Sequence, residues 1–244
     1  LGSATKKTRI AMADLAIDLN SLGLPMFLEK PVGLSAAETE RVASAVTVPN
    51  MVGLNRRFYE IIREGKRLMD EVGGVRAIEI HMPEDLSRVP AGVHAEATLD
   101  AWQYANTVHL VDLFRYFGGD IKSVVTSNVV KDRSNRSYSA LIECNSGTRG
   151  VFQSHWFAPG GWRVTVYGDG LTITYQPIEK ALVQRFGRSP VTLEPTGADT
   201  RLKAGLFHQA EAFQGLIQSG ELSEGSSDLN DYLKSNQLIS ELTK

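Results

Sequence analysis

Residues 26–54 read MFLEKPVGLSAAETERVASAVTVPNMVGL, and this stretch establishes the class of fold. Two short apolar runs, 26–28 and 50–54, are typical of buried parallel strands. Between them, Ser35 precedes Glu38 by three residues, and this capping box predicts a helix over 35–46. A strand, a helix and a second strand in this order predict a parallel pair joined by a crossover, as in a doubly wound α/β sheet.

The flanking sequence extends the alternation and then changes character. Residues 7–19 predict a helix that ends before Gly23, and residues 60–72 predict another that ends at Gly73. Seven short strand-like runs between Ile121 and about Leu193, separated by turns, predict an antiparallel or mixed sheet. The remaining predicted elements are a strand over 75–82, an irregular segment over 84–106, an apolar helix over 107–117, and two closing helices over 203–219 and 228–242.

Three parts are therefore expected. Residues 1–54 form part of a doubly wound α/β domain, and residues 55–202 form an α+β domain built on one broad, mostly antiparallel sheet. Residues 203–244 form the closing helices. Because a doubly wound fold covers both faces of four or more strands, we expect an N-terminally truncated form that lacks at least two βαβ units.

Composition restricts the class of protein. The 244 residues carry 26 Lys and Arg against 28 Asp and Glu, without a basic cluster, which argues against nucleic-acid binding. No apolar run approaches the ~20 residues that cross a bilayer, so no membrane partner is expected. The single cysteine, Cys144, excludes an internal disulfide framework and a Cys-based zinc site. The expected location is the cytoplasm, with no metal site.

Three motifs together carry a resemblance: Glu29-Lys30-Pro31 after one strand, Gly53-Leu54-Asn55-Arg56-Arg57-Phe58 after the next, and His109-Leu110-Val111-Asp112 on the apolar helix. In order, spacing and placement they resemble the Gfo/Idh/MocA family of oxidoreductases, which includes glucose–fructose oxidoreductase and inositol dehydrogenase. The resemblance implies a Rossmann domain followed by an α/β domain with a large open sheet. Residues 1–54 would then be the C-terminal remnant of the Rossmann (dinucleotide-binding) domain, and residues 55–202 would be the α+β substrate and oligomerisation domain on the large open, mostly antiparallel sheet. Residues 203–244 would be helices that pack back on the Rossmann part. The resemblance also implies hydride transfer between NAD or NADP and a hydroxyl or carbonyl of a sugar, sugar nucleotide or cyclitol, and a homodimer or homotetramer through the open sheet.

Two departures from the family pattern are visible. The sequence contains no Gly-x-Gly-x-x-Gly loop, with which family members hold the dinucleotide pyrophosphate. Four residues before His109, where relatives with a Lys/Asp/His arrangement often carry Asp, this chain has Ala105, followed by Asn106.

Lys30 and His109 are the predicted catalytic residues. Hydride transfer from a carbinol requires a group that removes the hydroxyl proton and a cation that stabilises the alkoxide. Lys30 follows a parallel strand, where doubly wound folds bind ligands, and suits the second role, whereas His109 titrates near neutrality and suits the first. Asp112 shares a helix face with His109 and could orient its ring or cap nearby backbone. The alternatives are a solvated lysine and a histidine packed against the sheet.

The resemblance also implies binding residues. Those expected to bind the cofactor are Ser3, Thr5, Glu29, Lys30, Pro31 and Asn55, and those expected to bind the substrate are Arg56, Trp102, Tyr104, Asn106 and Asp112. A surface arginine capping a turn is the alternative for Arg56, and an aromatic lid is the alternative for Trp102 and Tyr104. Four acidic residues match no metal-ligand spacing and are expected to be solvated charges: Glu84, Asp85, Glu96 and Asp100.

Two functions of different classes follow. The first is an NAD(P)-dependent oxidoreductase, for which Lys30, Asn55 and His109 converge on one cleft. The second is a non-catalytic truncated homologue that acts as a dimeric scaffold or binding module. A hydrolase is disfavoured because the sequence has neither a nucleophile elbow nor a metal-ligand spacing.

Overall fold

A computed structural model describes residues 12–132 and 135–244 of the chain. Its first elements, in chain order, are α1 (Met12–Leu19), β1 (Met26–Leu28), α2 (Ala36–Ala45), β2 (Asn50–Val52) and α3 (Glu60–Asp70). β1 and β2 are parallel neighbours, so the predicted βαβ unit is confirmed. Gly23 ends the first helical segment with a φ of 67°, as expected. The predicted start of that helix at Lys7 lies outside the described residues.

The start of α2 differs slightly from the predicted capping box. Ser35 Oγ accepts from the Glu38 amide at 3.1 Å, as the motif requires. The Glu38 carboxylate, however, accepts from the amide of Leu34 at 2.7 Å rather than from Ser35. The first bond satisfies an amide that the first helical turn leaves without a partner, and the second ties the residue before the N-cap to the same turn.

The rest of the described chain is built on one eight-stranded sheet with the order β10-β9-β8-β7-β3-β6-β5-β4. Its strands are β3 (Ala77–Pro83), β4 (Ile121–Val130), β5 (Ser137–Cys144), β6 (Arg149–His155), β7 (Arg163–Gly168), β8 (Leu171–Tyr175), β9 (Ala181–Arg185) and β10 (Val191–Leu193). All neighbours are antiparallel except β3 and β6, which are parallel. The large, mostly antiparallel sheet is thus confirmed, including the seven strands after residue 120.

The segment predicted to be irregular contains three helical pieces, the first of which is a 3₁₀ turn (Leu86–Arg88). α4 (Glu96–Asp100) is followed by a π-helical turn (Gln103–Thr107), which leads directly into α5 (Val108–Gly118). Single π-helical turns occur within α-helices and are frequent at functional sites.

α5 covers one face of the sheet. Gly150 lies at the contact, since a Cβ at this position would come within 2.7 Å of the Phe114 ring. On the opposite face, Val125, Leu141 and Val151 stand in one row across three strands and are 65%, 63% and 39% exposed. This face has no covering layer among the described residues.

The chain closes with α6 (Leu206–Ser219) and α7 (Leu229–Leu242). α7 packs against both α2 and α5. Its start is tied to β2, because the Leu229 amide donates to Asn50 Oδ1 at 2.8 Å. One hydrophobic core runs through all three predicted parts, from Ala13 to Leu242, so the boundaries at 54 and 202 stay predictions. No helix in the described ranges is long and apolar enough to cross a membrane.

Candidate active site

The carboxyl ends of β1 and β2 lie at the same edge, where parallel sheets of this class bind ligands. Lys30 follows β1, and its peptide bond with Pro31 is cis. Asn55 and Arg56 lie in a 3₁₀ turn that follows β2. The sequence prediction that these side chains share one edge therefore agrees with their positions.

Lys30 reaches from this edge to the helical turn before α5. Its Nζ donates to the carbonyl oxygen of Ala105 at 2.6 Å. Ala105 lies in the π-helical turn, at the position where the family pattern often has Asp. A backbone oxygen at position 105 thus accepts from the lysine here, without a carboxylate at that position.

Burial and the charge of Arg56 lower the pKa of the Lys30 amine to about 8, although Glu29 and Glu84 oppose the shift. A lysine with this pKa is partly neutral near physiological pH and can accept a proton.

His109 is 1% exposed, and its Nε2 lies 2.9 Å from Nη1 of Arg56. Because a guanidinium only donates, Nε2 must accept, and the ring proton is assigned to Nδ1. Nδ1 is buried and has no partner among the described residues. Burial, followed by the charges of Arg56 and Lys30, holds the pKa of His109 well below its ordinary value. The ring is therefore neutral, which differs from the expected titration near neutrality.

Glu84 was expected to be a solvated charge, and this prediction is wrong. Its carboxylate accepts from the indole nitrogens of Trp102 at 2.8 Å and Trp162 at 2.7 Å. The Asn106 amide donates to both carboxylate oxygens at 3.1 Å. Burial raises the pKa of Glu84, although these three donors act in the opposite direction. Trp162 also stacks under Arg56, 5.8 Å from its guanidinium carbon, which joins Glu84 to the Lys30 and His109 group.

Two predicted substrate-binding residues face away from this group. The Tyr104 hydroxyl lies 3.0 Å from Ser240 Oγ on α7, and the residue is 7% exposed. Asp112 is 1% exposed, and no hydrogen bond between it and His109 is found among the described residues; its oxygens instead accept from Arg57 at 2.6 and 2.7 Å and from Ser235 at 3.1 Å. The Asp112 carboxylate binds Arg57 and not the imidazole, because the guanidinium is charged and donates two parallel hydrogen bonds.

Arg57 and Asp112 form the centre of a buried ionic network. Arg57 Nη2 also contacts Asp231 at 2.7 Å, and Asp231 in turn pairs with Arg115 at 2.7 Å. Although burial opposes it, the two guanidinium groups lower the pKa of Asp231 to about 2. The network joins the turn after β2 to α5 and α7, and so fixes Asn55 and Arg56 relative to His109.

The segment 197–205 forms another wall of the site. Asp199 accepts from the amides of Glu60 and Gly205, each at 2.8 Å. Asn55 Nδ2 donates to the Ala204 carbonyl at 3.3 Å. Gly205 has a φ of 75°, and a Cβ there would lie 2.2 Å from the Asn55 carbonyl oxygen, so only glycine fits.

His208 anchors this segment and makes stability depend on pH. Burial lowers its pKa, but hydrogen bonds with Glu60 at 3.1 Å and Glu211 at 2.8 Å outweigh burial and raise it. A raised pKa in the folded state contributes stability below about pH 6.5, the ordinary value, and the contribution is lost as pH rises through the raised value.

We expect His208→Gln to destabilise the protein by up to about 1 kcal/mol near pH 6. The loss should shrink at pH 8.5 in urea unfolding; an equal loss at both values would contradict the charged anchor.

Sequence reasoning found Lys30, Asn55, Arg56 and His109, which the structure brings together, and missed others. Glu84 directly follows β3, and this strand-end position is the signal that could have found it. Trp162 comes from a glycine-rich loop far away in sequence and carried no such signal. Trp102 and Asn106 are connected to the site by the hydrogen bonds that they donate to Glu84. Glu29 is exposed at the same edge, whereas Ser3 and Thr5 lie outside the described residues.

A separate cavity of about 820 Å³ lies beside the ionic network. Its lining includes Lys66 and Asp70, which form an ion pair at 2.6 Å. The cationic and acidic side chains that line this cavity are about equal in number, so they largely neutralise one another. Among the described residues, no three His, Cys, Asp or Glu side chains lie close enough together to hold a metal ion.

Residues 61–174 match the family model described as the GFO/IDH/MocA C-terminal domain. This match covers most of the large sheet and α5. No curated protein matches the sequence.

Solved structures resemble most of the chain. A dehydrogenase from Chromobacterium violaceum is 19% identical with a TM-score of 0.78, and the match covers 95% of this chain and 72% of that one. Levoglucosan dehydrogenase in complex with NADH and L-sorbose is 17% identical with a TM-score of 0.77, covering 95% and 73%. A Gfo/Idh/MocA family oxidoreductase from Vibrio cholerae is 17% identical with a TM-score of 0.73, covering 96% and 74%. At these identities the likeness establishes the fold.

Proposed function

We propose that this chain, whose residues 61–174 match the family model described as the GFO/IDH/MocA C-terminal domain, acts as an NAD(P)-dependent oxidoreductase on a hydroxyl or carbonyl group of a sugar, sugar nucleotide or cyclitol. The observation that carries the proposal is the Lys30 amine, whose pKa is about 8, at the carboxyl edge of a parallel strand pair. Arg56 and His109 lie at the same edge.

Lys30 is the proposed proton-transfer group. A bound nicotinamide supplies hydride transfer, which leaves the protein to move the hydroxyl proton and stabilise the developing charge. The neutral amine accepts the proton of a substrate hydroxyl, and the resulting ammonium stabilises the oxygen. The Ala105 carbonyl holds Nζ in place through the 2.6 Å hydrogen bond.

His109 has a different proposed role from the acid–base one. Its Nε2 already accepts from Arg56, and its ring stays neutral, so it positions the guanidinium instead of exchanging protons. Asp112 is correspondingly assigned to the ionic network and not to the substrate. We expect His109→Ala to lower turnover by displacing Arg56, without removing a pH-dependent step.

NAD or NADP is the proposed cofactor. Structural neighbours include levoglucosan dehydrogenase in complex with NADH and an Agrobacterium radiobacter oxidoreductase in complex with NAD+. Four residues at the strand edge suit its nicotinamide end: Glu29, Lys30, Pro31 and Asn55. The carboxylate of Glu29 lies against Gly53, where a Cβ would come within 3.2 Å of it, so the lack of a side chain at Gly53 lets this carboxylate lie at the strand edge.

A subunit interface on the open sheet face is part of the proposal. The row of Val125, Leu141 and Val151 is apolar and exposed, and such rows are typical of association surfaces. A homodimer or homotetramer would cover it. A cytoplasmic location is proposed on the single buried thiol of Cys144.

The test is a titration of the protein with NADH and NADPH, followed by tryptophan and nicotinamide fluorescence. We expect saturable binding tighter than about 100 μM, roughly −5.5 kcal/mol. Binding should be accompanied by oxidation of at least one polyol or sugar in a substrate screen. Absence of binding up to millimolar concentrations would overturn the oxidoreductase and leave the dimeric scaffold.

A further inference from the structure

Arg56 is a partly buried cation without a carboxylate partner in the described chain. Its Nη1 donates to two neutral acceptors, Asn55 Oδ1 at 2.7 Å and His109 Nε2 at 2.9 Å. Its Nε is buried without a partner, and no hydrogen bond from Nη2 is found among the described residues. Three of the five N–H donors of this guanidinium are therefore unused.

Arg57 and Arg115 each have the carboxylate partner that Arg56 lacks among the described residues. Arg57 binds Asp112 through its Nε and Nη2 at 2.7 and 2.6 Å, the same two atoms that Arg56 leaves unused. Arg115 pairs with Asp231 and Asp120. A buried charge that lacks a counter-charge is unfavourable, so a cation left in this state in the free protein indicates that a ligand completes it.

The charges around Arg56 support the same conclusion. Lys30 is another cation at this edge, and Lys203 adds positive potential at both Lys30 and His109. Glu84 does not neutralise Arg56, because its oxygens accept from Trp102, Trp162 and Asn106. Glu179 acts on Arg56 through space only, without a hydrogen bond or an ion pair.

Resting on the proposed function, we infer that the substrate of this site carries an anionic group, a carboxylate or a phosphate ester, which Arg56 binds directly. The Nη2 donors, which have no partner among the described residues, can form charge-assisted hydrogen bonds with an oxygen of either group. Lys203, which is exposed, adds attraction at longer range. The site thus selects an acidic sugar over the corresponding neutral sugar.

The experiment compares D-glucuronate, D-glucose 6-phosphate and D-glucose by calorimetric titration of the protein, with and without saturating NADH. We expect at least one of the two anions to bind tenfold or more tightly than glucose. Arg56→Gln should weaken that anion by roughly 10- to 100-fold and change glucose binding by less than about threefold. The relative affinity of the two anions distinguishes a carboxylate from a phosphate ester.

Arg63→Gln is the matched control, because Arg63 is exposed on α3 and should leave all three affinities unchanged. Arg56→Lys keeps the charge but loses the Nη2 donors, so an intermediate loss supports direct binding by the guanidinium even if Arg56→Gln proves unstable. Glucose binding as tight as either anion, equal losses for anion and glucose in Arg56→Gln, or no binding of any of the three would overturn the inference. Oxidation of neutral polyols without an anion preference would support the oxidoreductase and refute the anionic substrate. Anion binding without NADH binding would refute the oxidoreductase and support binding of an anionic ligand by Arg56.

Discussion

Replacing Arg57 with methionine is expected to lower the free energy of unfolding by about 3–5 kcal/mol. The substitution leaves Asp112, whose side chain is 1% exposed, without its cation, and Ser235 is then its one remaining hydrogen-bond partner among the described residues. An unpaired buried carboxylate costs far more than the loss of an exposed ion pair. Urea unfolding of the wild type and the variant measures the difference directly.

The double variant Arg57→Met/Asp112→Leu provides the decisive comparison. It removes both charges, and Asp231 still pairs with Arg115, so the double variant should be more stable than Arg57→Met alone. Arg41→Met is the control, because the Arg41–Asp14 pair is exposed on both sides and should contribute at most about 1 kcal/mol. If Arg57→Met cost no more than the control, the network would not hold the turn after β2 in place.

Replacing Lys30 with methionine is expected to reduce kcat/KM by about 10²- to 10⁴-fold, the usual contribution of a general acid–base group. In the wild type, the oxidation rate should rise with pH and level off above about 8, because the amine must be neutral to accept the hydroxyl proton. The reverse reduction needs the ammonium and should fall over the same range. The residual rate of the variant should lack both dependences.

Lys30→Arg separates the two roles of the lysine. Arginine keeps the positive charge but stays protonated at every accessible pH, so it can stabilise an alkoxide and cannot accept its proton. If Lys30→Arg kept activity within tenfold of the wild type, Lys30 would act only as a cation. Lys66→Met is the matched control, since Lys66 pairs with Asp70 on α3, away from this edge.

The local elements and the strand-edge residues could be predicted from the sequence, because the patterns that encode them are local. The capping residue Ser35 and the apolar runs of β1 and β2 specify a βαβ unit without reference to distant residues. The carboxyl ends of its two strands necessarily meet, which placed Lys30 near Asn55.

Contacts that depend on distant residues could not be predicted. Asp112 lies three residues after His109, and helical spacing alone favours contact between them, yet Arg57 arrives from another element and binds the carboxylate. The local sequence around Glu84 is typical of a solvated charge, and the hydrogen bond from Trp162, a residue distant in sequence, could not be predicted from it. The parallel pairing of β3 with β6 likewise depends on strands that enter the sheet much later in the chain.

That late entry has a consequence for how the molecule forms. Ala77 of β3 pairs with Arg149 on one side and with Tyr167 on the other, whereas the flanking strands join mostly to their sequence neighbours. The two outer groups can assemble early as hairpins, but the middle of the sheet closes only after a long loop has been ordered, which slows folding. Until then, both groups present unpaired edges that can join with other chains. Synthesis at low temperature and refolding at low protein concentration would favour the native molecule over aggregates.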